Sequence, residues 1–209
     1  SERHTGRSTF PREMEGQPVG AYLLITLDSD SEDQLYTLLE QAAELVLDAD
    51  AMDVLVADSP AKMRDAWAAR SAFLEVIMEE TKLLDECDVV VPVTKIASYL
   101  EFVNKTDEEC GLVIRSFGHA GDGNLHIYEC SNDLTEEEFK KRVDKFFDLI
   151  YKEASAQGGL VSGEHGIGSG KIQYLVKSIG ETNMALMEGI KRVFDPKMIL
   201  NPGKVCYRL

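Results

Sequence analysis

The sequence has few cysteines, little positive charge and no long apolar run, and each shortage excludes a class of protein. Its four cysteines are widely spaced and include no CxxC pair, which favours free thiols in a reducing compartment such as the cytoplasm over a disulfide framework. No apolar run approaches the ~20 residues of a membrane-spanning helix. Lys and Arg total 22 against 37 Asp and Glu, and the resulting net charge of −15 disfavours binding to nucleic acid or anionic lipid.

The first residues, SERHTGRSTFPRE, also lack the apolar core of a signal peptide and an initiator methionine. We therefore expect the chain to be a piece of a longer protein, and we interpret residues 1–20 as an irregular lead-in. The remainder is long enough to bury a core. With 44% hydrophobic and 28% charged residues, the composition is typical of a globular protein.

Apolar periodicity predicts alternating strands and helices. Strands are predicted at 21–27, 52–57, 88–93, 111–117 and 125–130. Helices are predicted to start at Ser31, Pro60, Thr94 and Thr135, and two more to cover 171–178 and 182–194. The hairpin at 111–130 favours antiparallel pairing. The predicted fold class is α+β, with a mainly antiparallel sheet and flanking helices.

Three of the four histidines lie in two glycine-rich segments, and two of these three flank the hairpin turn. If Asp122 and Gly123 form a two-residue turn, His119 lies directly opposite His126 on one face of the sheet. Two imidazoles at that separation can bind one metal ion. Either histidine alone is more often a hydrogen-bonded structural residue, but the pair beside glycines favours a metal site.

A catalytic metal site of this kind usually needs a third protein ligand, and Glu164 in the second segment is the best candidate. Its neighbour His165 points to the opposite side in an extended segment, where it can face a substrate. Imidazole and carboxylate ligands suit zinc, iron or manganese. Glu164 could instead cap a turn, and Arg70 could be a surface arginine. The glycine spacing of residues 163–168 does not match a phosphate loop.

Three motifs resemble the C-terminal part of FAD-linked oxidases of the vanillyl-alcohol-oxidase type. They are GHAGDGNLH at 118–126, SGEHGIG at 162–168 and FDPKMILNPGK at 194–204. The nearest resemblance is to the D-lactate, glycolate and D-2-hydroxyglutarate dehydrogenases. It implies a ferredoxin-like cap domain over residues 21–193 that binds substrate. It also implies a tail, 194–209, that returns to the flavin domain, and a lead-in, 1–20, that comes from a missing FAD-binding domain.

The resemblance also implies a role for each matching residue in the oxidation of a 2-hydroxy acid, with hydride transfer from the substrate α-carbon to FAD. The implied residues are the metal ligands His119, His126 and Glu164, the base His165, the carboxylate clamp Arg70, and Asn201 near the flavin and substrate. The implied cofactors are FAD, held mainly by the missing domain, and a divalent metal. We expect zinc, with iron or manganese as alternatives.

Two departures from the family pattern shape the expected function. Without the FAD-binding domain, the chain alone should be inactive and should depend on a flavin domain of the same or a partner chain. The lysine that relatives acting on dicarboxylates carry before the third strand is replaced by Asp85-Glu86-Cys87, which favours a small monocarboxylate such as D-lactate or glycolate.

Other partners and functions stay open at this point. Oxygen, a quinone or an electron-transfer flavoprotein could accept the electrons. A homodimer is left open, while nucleic acid and a membrane span are not expected. The alternative functions are a stand-alone zinc hydrolase, although no HExxH helix supports it, and a non-catalytic metal-binding domain.

Overall fold

The structure is a computed structural model that describes residues 10–206. The chain divides into two compact units between residues 79 and 80. His4, the first nine residues of the predicted lead-in and the last three residues of the predicted tail lie outside the described residues. The predicted domain boundaries at residues 20 and 193 stay a prediction.

The first unit contains a minimal hairpin and three helices, the last of which ends at the first residue of the second unit. Their bounds are β1 Glu13–Met14, β2 Gln17–Pro18, α1 Glu32–Asp48, α2 Pro60–Ser71 and α3 Phe73–Glu80. The predicted helix start at Ser31 is confirmed, because its side chain accepts a hydrogen bond from the amide of Gln34. Pro60 is the first residue of α2, as predicted, and Ser59 caps that helix.

The predicted strands at 21–27 and 52–57 are wrong. Both segments are apolar, but among the described residues of the first unit only β1 and β2 form strands. A run of apolar residues becomes a strand only where a neighbouring strand pairs with its backbone. Within this unit the apolar side chains of both segments stay largely exposed, with Leu23 at 64% and Leu55 at 58%.

The second unit is built on a three-stranded antiparallel sheet. Its elements are β3 Leu83–Val90, a 3-10 turn at Val93–Lys95, α4 Ile96–Cys110, β4 Val113–His119, β5 Asn124–Ser131, α5 Glu136–Ala156 and α6 Ile172–Phe194. The strand order is β3-β5-β4, and an isolated antiparallel bridge between Val90 and Leu160 lies on the other edge of β3. This order is that of a ferredoxin-like β-α-β-β-α-β unit. The predicted α+β class with an antiparallel sheet is confirmed.

Local signals set the helix ends in this unit. Thr135 accepts a hydrogen bond from the amide of Glu138 and starts α5, as predicted. Gly180 has φ 77° and ψ 166°, so it breaks α6 between the two helices that the sequence predicts. Thr94 was the wrong start for α4, because Lys95 precedes that helix and no side chain caps it. No helix of residues 10–206 combines the length and apolar character needed to cross a membrane.

The core lies between the sheet and helices α4 and α5. One face of the sheet contributes Cys87, Val89, Leu125 and Ile127 to a cluster with Tyr99, Val103, Phe146 and Ile150. Because side chains alternate along a strand, the residues between them point to the opposite face. That opposite face carries Glu86, Asp88 and His126, and the candidate site is built there.

Candidate metal and catalytic site

The β4–β5 hairpin closes through a four-residue loop, so the predicted two-residue turn is wrong. The amides of Asp122 and Gly123 both donate to the carbonyl of His119, at 3.3 and 3.1 Å, and the Asp122 carboxylate accepts from the amide of Asn124 at 3.0 Å. His119 therefore pairs with Asn124, and His126 pairs with Phe117. The predicted direct pairing of the two histidines does not occur.

The two histidines nevertheless share one face of the sheet. The longer loop shifts the pairing by two residues, and a shift of two preserves the face on which a side chain lies. His119 and His126 are thus diagonal neighbours, with ring centroids 5.6 Å apart and rings nearly perpendicular. The sequence predicted the juxtaposition correctly from a wrong register.

Gly123 fixes this loop against the end of β3. Its φ of 80° is in the left-handed region, and its carbonyl accepts a hydrogen bond from the amide of Val91 at 3.1 Å. A Cβ at this position would collide with the carbonyl oxygen of Val91. Only glycine allows the approach that holds the histidine hairpin to its neighbouring strand.

The second glycine-rich segment, residues 162–166, wraps around the buried carboxylate of Asp88. Oδ2 of Asp88 accepts from the Ser162 hydroxyl at 2.7 Å and from the amides of Gly163, Glu164 and His165 at 3.1, 3.1 and 2.8 Å. One oxygen on β3 thereby orders a loop that begins 74 residues later. It sets the backbone from which the side chains of Glu164 and His165 project.

Gly163 brings this loop against the hairpin. A Cβ at Gly163 would overlap the side-chain amide of Asn124, the residue that pairs with His119. The absence of a side chain at this position therefore lets the loop approach β5. Glu164 is brought close to both hairpin histidines as a result.

The predicted ligand atoms converge on Glu164. Its Oε1 lies 3.5 Å from Nε2 of His119 and 3.0 Å from Nε2 of His126. These three ligand atoms all lie within 4.8 Å of one another. Ligands held ~2.0–2.2 Å from a tetrahedral zinc ion are about 3.3–3.6 Å apart. The distance from His119 to Glu164 falls in this range, and the distance from His126 to Glu164 is slightly shorter. His119 and Glu164 are about half exposed, which leaves the site accessible.

His165 lies beside this group. Its ring stacks on that of His126, with centroids 4.7 Å apart and an interplanar angle of 12°. Its Nδ1 is 2.8 Å from Oε1 of Glu86, and its Nε2 is 3.9 Å from Oε1 of Glu164. Glu86, His126 and His165 form a second group whose atoms are close enough to hold a cation.

Burial and hydrogen bonding set the charge state of the two most buried members of the site. Burial, together with the nearby His165, lowers the pKa of His126. That histidine is therefore neutral near pH 7, the form that binds metals. Burial raises the pKa of Asp88, but the hydrogen bonds from Ser162, His165 and Glu164 outweigh it, so the net pKa is lowered and Asp88 is ionised.

Two further predicted site residues lie on other elements of the chain. Arg70 is half-buried on α2 of the first unit. Asn201 is exposed in the turn after α6, with φ 46°, where Asp195 accepts hydrogen bonds from the amides of Ile199 and Leu200. Their assigned roles as carboxylate clamp and flavin neighbour stay predictions.

Sequence reasoning missed Glu86 and Asp88. The signal was present as alternation, because Glu86 and Asp88 are two residues apart on a strand whose intervening Cys87 is apolar and buried. Alternation of this kind is the ordinary pattern of a strand with one face in the core, so it does not by itself mark the two acidic residues as part of a site. Their partners could not be identified either, because nothing in the strand points to a loop at residues 162–166.

Comparison with known proteins places the sequence in a family. Residues 4–205 match the family described as FAD linked oxidases, C-terminal domain. The chain is 57% identical over 209 residues to a D-lactate dehydrogenase of Anaerostipes hadrus and 35% identical over 209 residues to one of Archaeoglobus fulgidus. It is 31% identical over 193 residues to the glycolate oxidase subunit GlcD of Bacillus subtilis.

The matches cover nearly all of this chain but less than half of each relative. All of the chain aligns with 44% and 43% of the two D-lactate dehydrogenases, and 91% of it aligns with 40% of the glycolate oxidase subunit. The matched family spans most of the sequence, including both histidine segments. The chain therefore belongs to the family of FAD-linked oxidase C-terminal domains.

Proposed function

We propose that this chain is the substrate- and metal-binding portion of a flavin-dependent 2-hydroxy-acid dehydrogenase of the D-lactate or glycolate type. The observation that carries the proposal is the convergence of His119, His126 and Glu164, with His165 stacked alongside. The names of the relatives, which are D-lactate dehydrogenases and a glycolate oxidase subunit, support the same chemistry.

In this proposal a divalent cation is held by Nε2 of His119, Nε2 of His126 and Oε1 of Glu164. Zinc is the first candidate, with iron and manganese as alternatives. When bound there, the cation would supply Lewis acidity toward the substrate hydroxyl and carboxylate. The neutral state of His126 supports this assignment, because an imidazole must be unprotonated to ligate.

His165 is the proposed base. Its Nε2 lies on the Glu164 side of the ring, 3.9 Å from Oε1 of Glu164, and is placed to accept the hydroxyl proton of a substrate held next to that carboxylate. FAD, held mainly by the part of the protein outside this chain, would supply the acceptor for the hydride leaving the α-carbon. Arg70 is the proposed clamp for the substrate carboxylate, and Asn201 is proposed to lie near the flavin.

The charge around the histidines supports a small monocarboxylate substrate. Glu86, Asp88 and Glu164 all lie within 4 Å of an imidazole nitrogen. A second carboxylate on the substrate would face this negative charge without a cationic partner on β3. D-lactate and glycolate avoid that cost, whereas a dicarboxylate such as D-2-hydroxyglutarate does not.

The partners follow from the proposed reaction. They are the FAD domain of the same or a partner chain, and an electron-transfer flavoprotein or a quinone as the electron acceptor. The cytoplasm is the proposed compartment, because all four cysteines are free and buried, as expected of thiols kept reduced.

The test is flavin reduction by the whole protein that contains this chain. Anaerobic D-lactate or glycolate should bleach the flavin absorbance, and His165→Gln should slow the bleaching by at least about 100-fold, the usual contribution of a general base. A preference for D-2-hydroxyglutarate would contradict the substrate assignment. Absence of flavin, with hydrolysis of an ester or amide in its place, would favour the stand-alone hydrolase.

A further inference from the structure

A single carboxylate oxygen of Glu86 lies next to three donors. Oε1 is 2.8 Å from Nδ1 of His165, accepts from the Tyr128 hydroxyl at 3.3 Å, and is 3.7 Å from Nδ1 of His126. Nδ1 of His126 is buried and makes no hydrogen bond. Glu86 is thus the carboxylate that faces the Nδ1 edge of both stacked imidazoles.

In each of the two stacked rings, one nitrogen faces Glu86 and the other faces Glu164. In His126, Nε2 faces Glu164 and Nδ1 faces Glu86. If Nε2 ligates a cation through its lone pair, the neutral ring carries its proton on Nδ1. A protonated Nδ1 cannot ligate a second cation. The group of Glu86, His126 and His165 is then incomplete as a metal site, and Glu86 is left as a hydrogen-bond acceptor.

We propose that Glu86 is a positioning residue that accepts the Nδ1–H of His165 and so keeps the lone pair of that ring on Nε2. This rests on the proposed function, in which Nε2 of His165 takes the substrate proton. A neutral imidazole has two tautomers, and only the one protonated at Nδ1 presents a basic Nε2. A carboxylate oxygen 2.8 Å from Nδ1 favours that tautomer and restricts rotation of the ring.

Asp88 cannot perform this role. Its Oδ2 is fully occupied by the Ser162 hydroxyl and three backbone amides, one of them the amide of His165. Its Oδ1 lies 3.9 Å from His126 Nδ1. Asp88 therefore fixes the main chain of His165, and Glu86 fixes its ring.

The experiment is ¹⁵N NMR of the imidazole rings in the metal-free 209-residue chain, at a pH above the imidazole titration. In the wild type, His165 should be protonated mainly at Nδ1. Glu86→Leu should reduce the ratio of the Nδ1–H to the Nε2–H tautomer about tenfold, the effect of losing one hydrogen bond to a charged group. Glu86→Gln, which keeps a neutral acceptor, should reduce it by less.

The matched control is Asp85→Asn. It removes a carboxylate one residue earlier on the same strand, where the side chain points to the opposite face. An unchanged His165 tautomer ratio in both Glu86 variants would overturn the proposal, and so would an equal change in Asp85→Asn.

Zn²⁺ binding to the same samples separates this inference from the proposed function. Glu86→Leu should bind Zn²⁺ with the stoichiometry of the wild type, because Glu86 is not a ligand in the group of His119, His126 and Glu164. Loss of Zn²⁺ in Glu86→Leu would make Glu86 a ligand and overturn its positioning role. A wild type with the expected tautomer but no Zn²⁺ would instead contradict the proposed metal function.

Discussion

The most informative perturbation is Asp88→Asn, because one oxygen of Asp88 holds the whole loop that carries Glu164 and His165. Oδ2 accepts four hydrogen bonds between 2.7 and 3.1 Å, three of them from consecutive backbone amides. Asparagine keeps the shape and one acceptor oxygen, so the variant removes the charge rather than the contacts. The expected result is a second unit that folds but is destabilised.

The magnitude follows from the hydrogen bonds. A hydrogen bond to a charged group contributes ~1.5–3 kcal/mol and one between neutral groups ~0.5–1.5 kcal/mol. Each of the four hydrogen bonds to residue 88 should therefore weaken by about 1 kcal/mol when asparagine replaces Asp88. Because bonds that share one acceptor are not additive, we expect a loss of about 2–3 kcal/mol for the four. Asp133→Asn, which removes an exposed carboxylate just after β5 in the same unit, should change the free energy of unfolding by less than about 0.5 kcal/mol.

The assay must report on the second unit. The single tryptophan, Trp67, lies in the first unit, so its fluorescence is unsuitable. Native-state hydrogen exchange of the buried amides of β5 reports opening of the sheet directly. Their protection should fall about 30- to 150-fold in Asp88→Asn, which corresponds to ~2–3 kcal/mol.

The pH dependence has a definite sign. Because the pKa of Asp88 is lowered in the folded chain, its contribution is present above the unfolded value of ~3.9 and is lost as pH falls through the folded value. The difference in the free energy of unfolding between the wild type and Asp88→Asn should therefore become smaller below about pH 4. Protection in Asp88→Asn within about twofold of wild type at pH 7 would refute the reasoning.

Three further perturbations have expected outcomes. Burial raises the pKa of Glu129 well above its ordinary value, so the wild type loses stability as pH rises above the unfolded value of about 4.3, by up to ~1.4 kcal/mol per pH unit. Glu129→Gln does not titrate and should gain stability over the wild type by that amount, as measured by urea unfolding at about pH 5 and 7. Gly163→Ala should cost ~1–3 kcal/mol and weaken Zn²⁺ binding, because its Cβ overlaps Asn124. Gly121→Ala, whose Cβ meets nothing within 4 Å, is the control. Thr135→Ala should cost about 1 kcal/mol through loss of the α5 cap, again measured by urea unfolding.

Local chemistry made the hairpin histidines predictable despite an error in the turn. The sequence places an Asp-Gly pair between two strands, but it does not show that Gly123 must lie against the carbonyl of Val91. That contact selects a four-residue loop. The loop is two residues longer than predicted. Because two is an even number, His119 and His126 still lie on the same face of the sheet, as predicted.

The acidic half of the site was not predictable in the same way. Asp88 and residues 162–166 are joined by hydrogen bonds across 74 to 77 positions of sequence. Strand periodicity shows that Asp88 faces away from the core, but not which loop covers it. The partner of Glu86 is hidden for the same reason, because His165 reaches it only once that loop is in place.

The helices followed their local signals more closely than the strands did. Ser31, Pro60 and Thr135 start helices through contacts within four residues, which the sequence displays directly. The segments 21–27 and 52–57 carry the composition of strands, but a strand depends on a partner elsewhere in the chain. Composition alone could not show that this partner is absent from the described part of the first unit.

The central claim is that one cation is held by His119, His126 and Glu164 beside His165. Anomalous diffraction at the zinc edge from crystals of this chain grown with Zn²⁺ tests it most directly. The account predicts a single peak in contact with Nε2 of both hairpin histidines and Oε1 of Glu164. A peak between Glu86 and Nδ1 of His165, or no peak at either position, would contradict it.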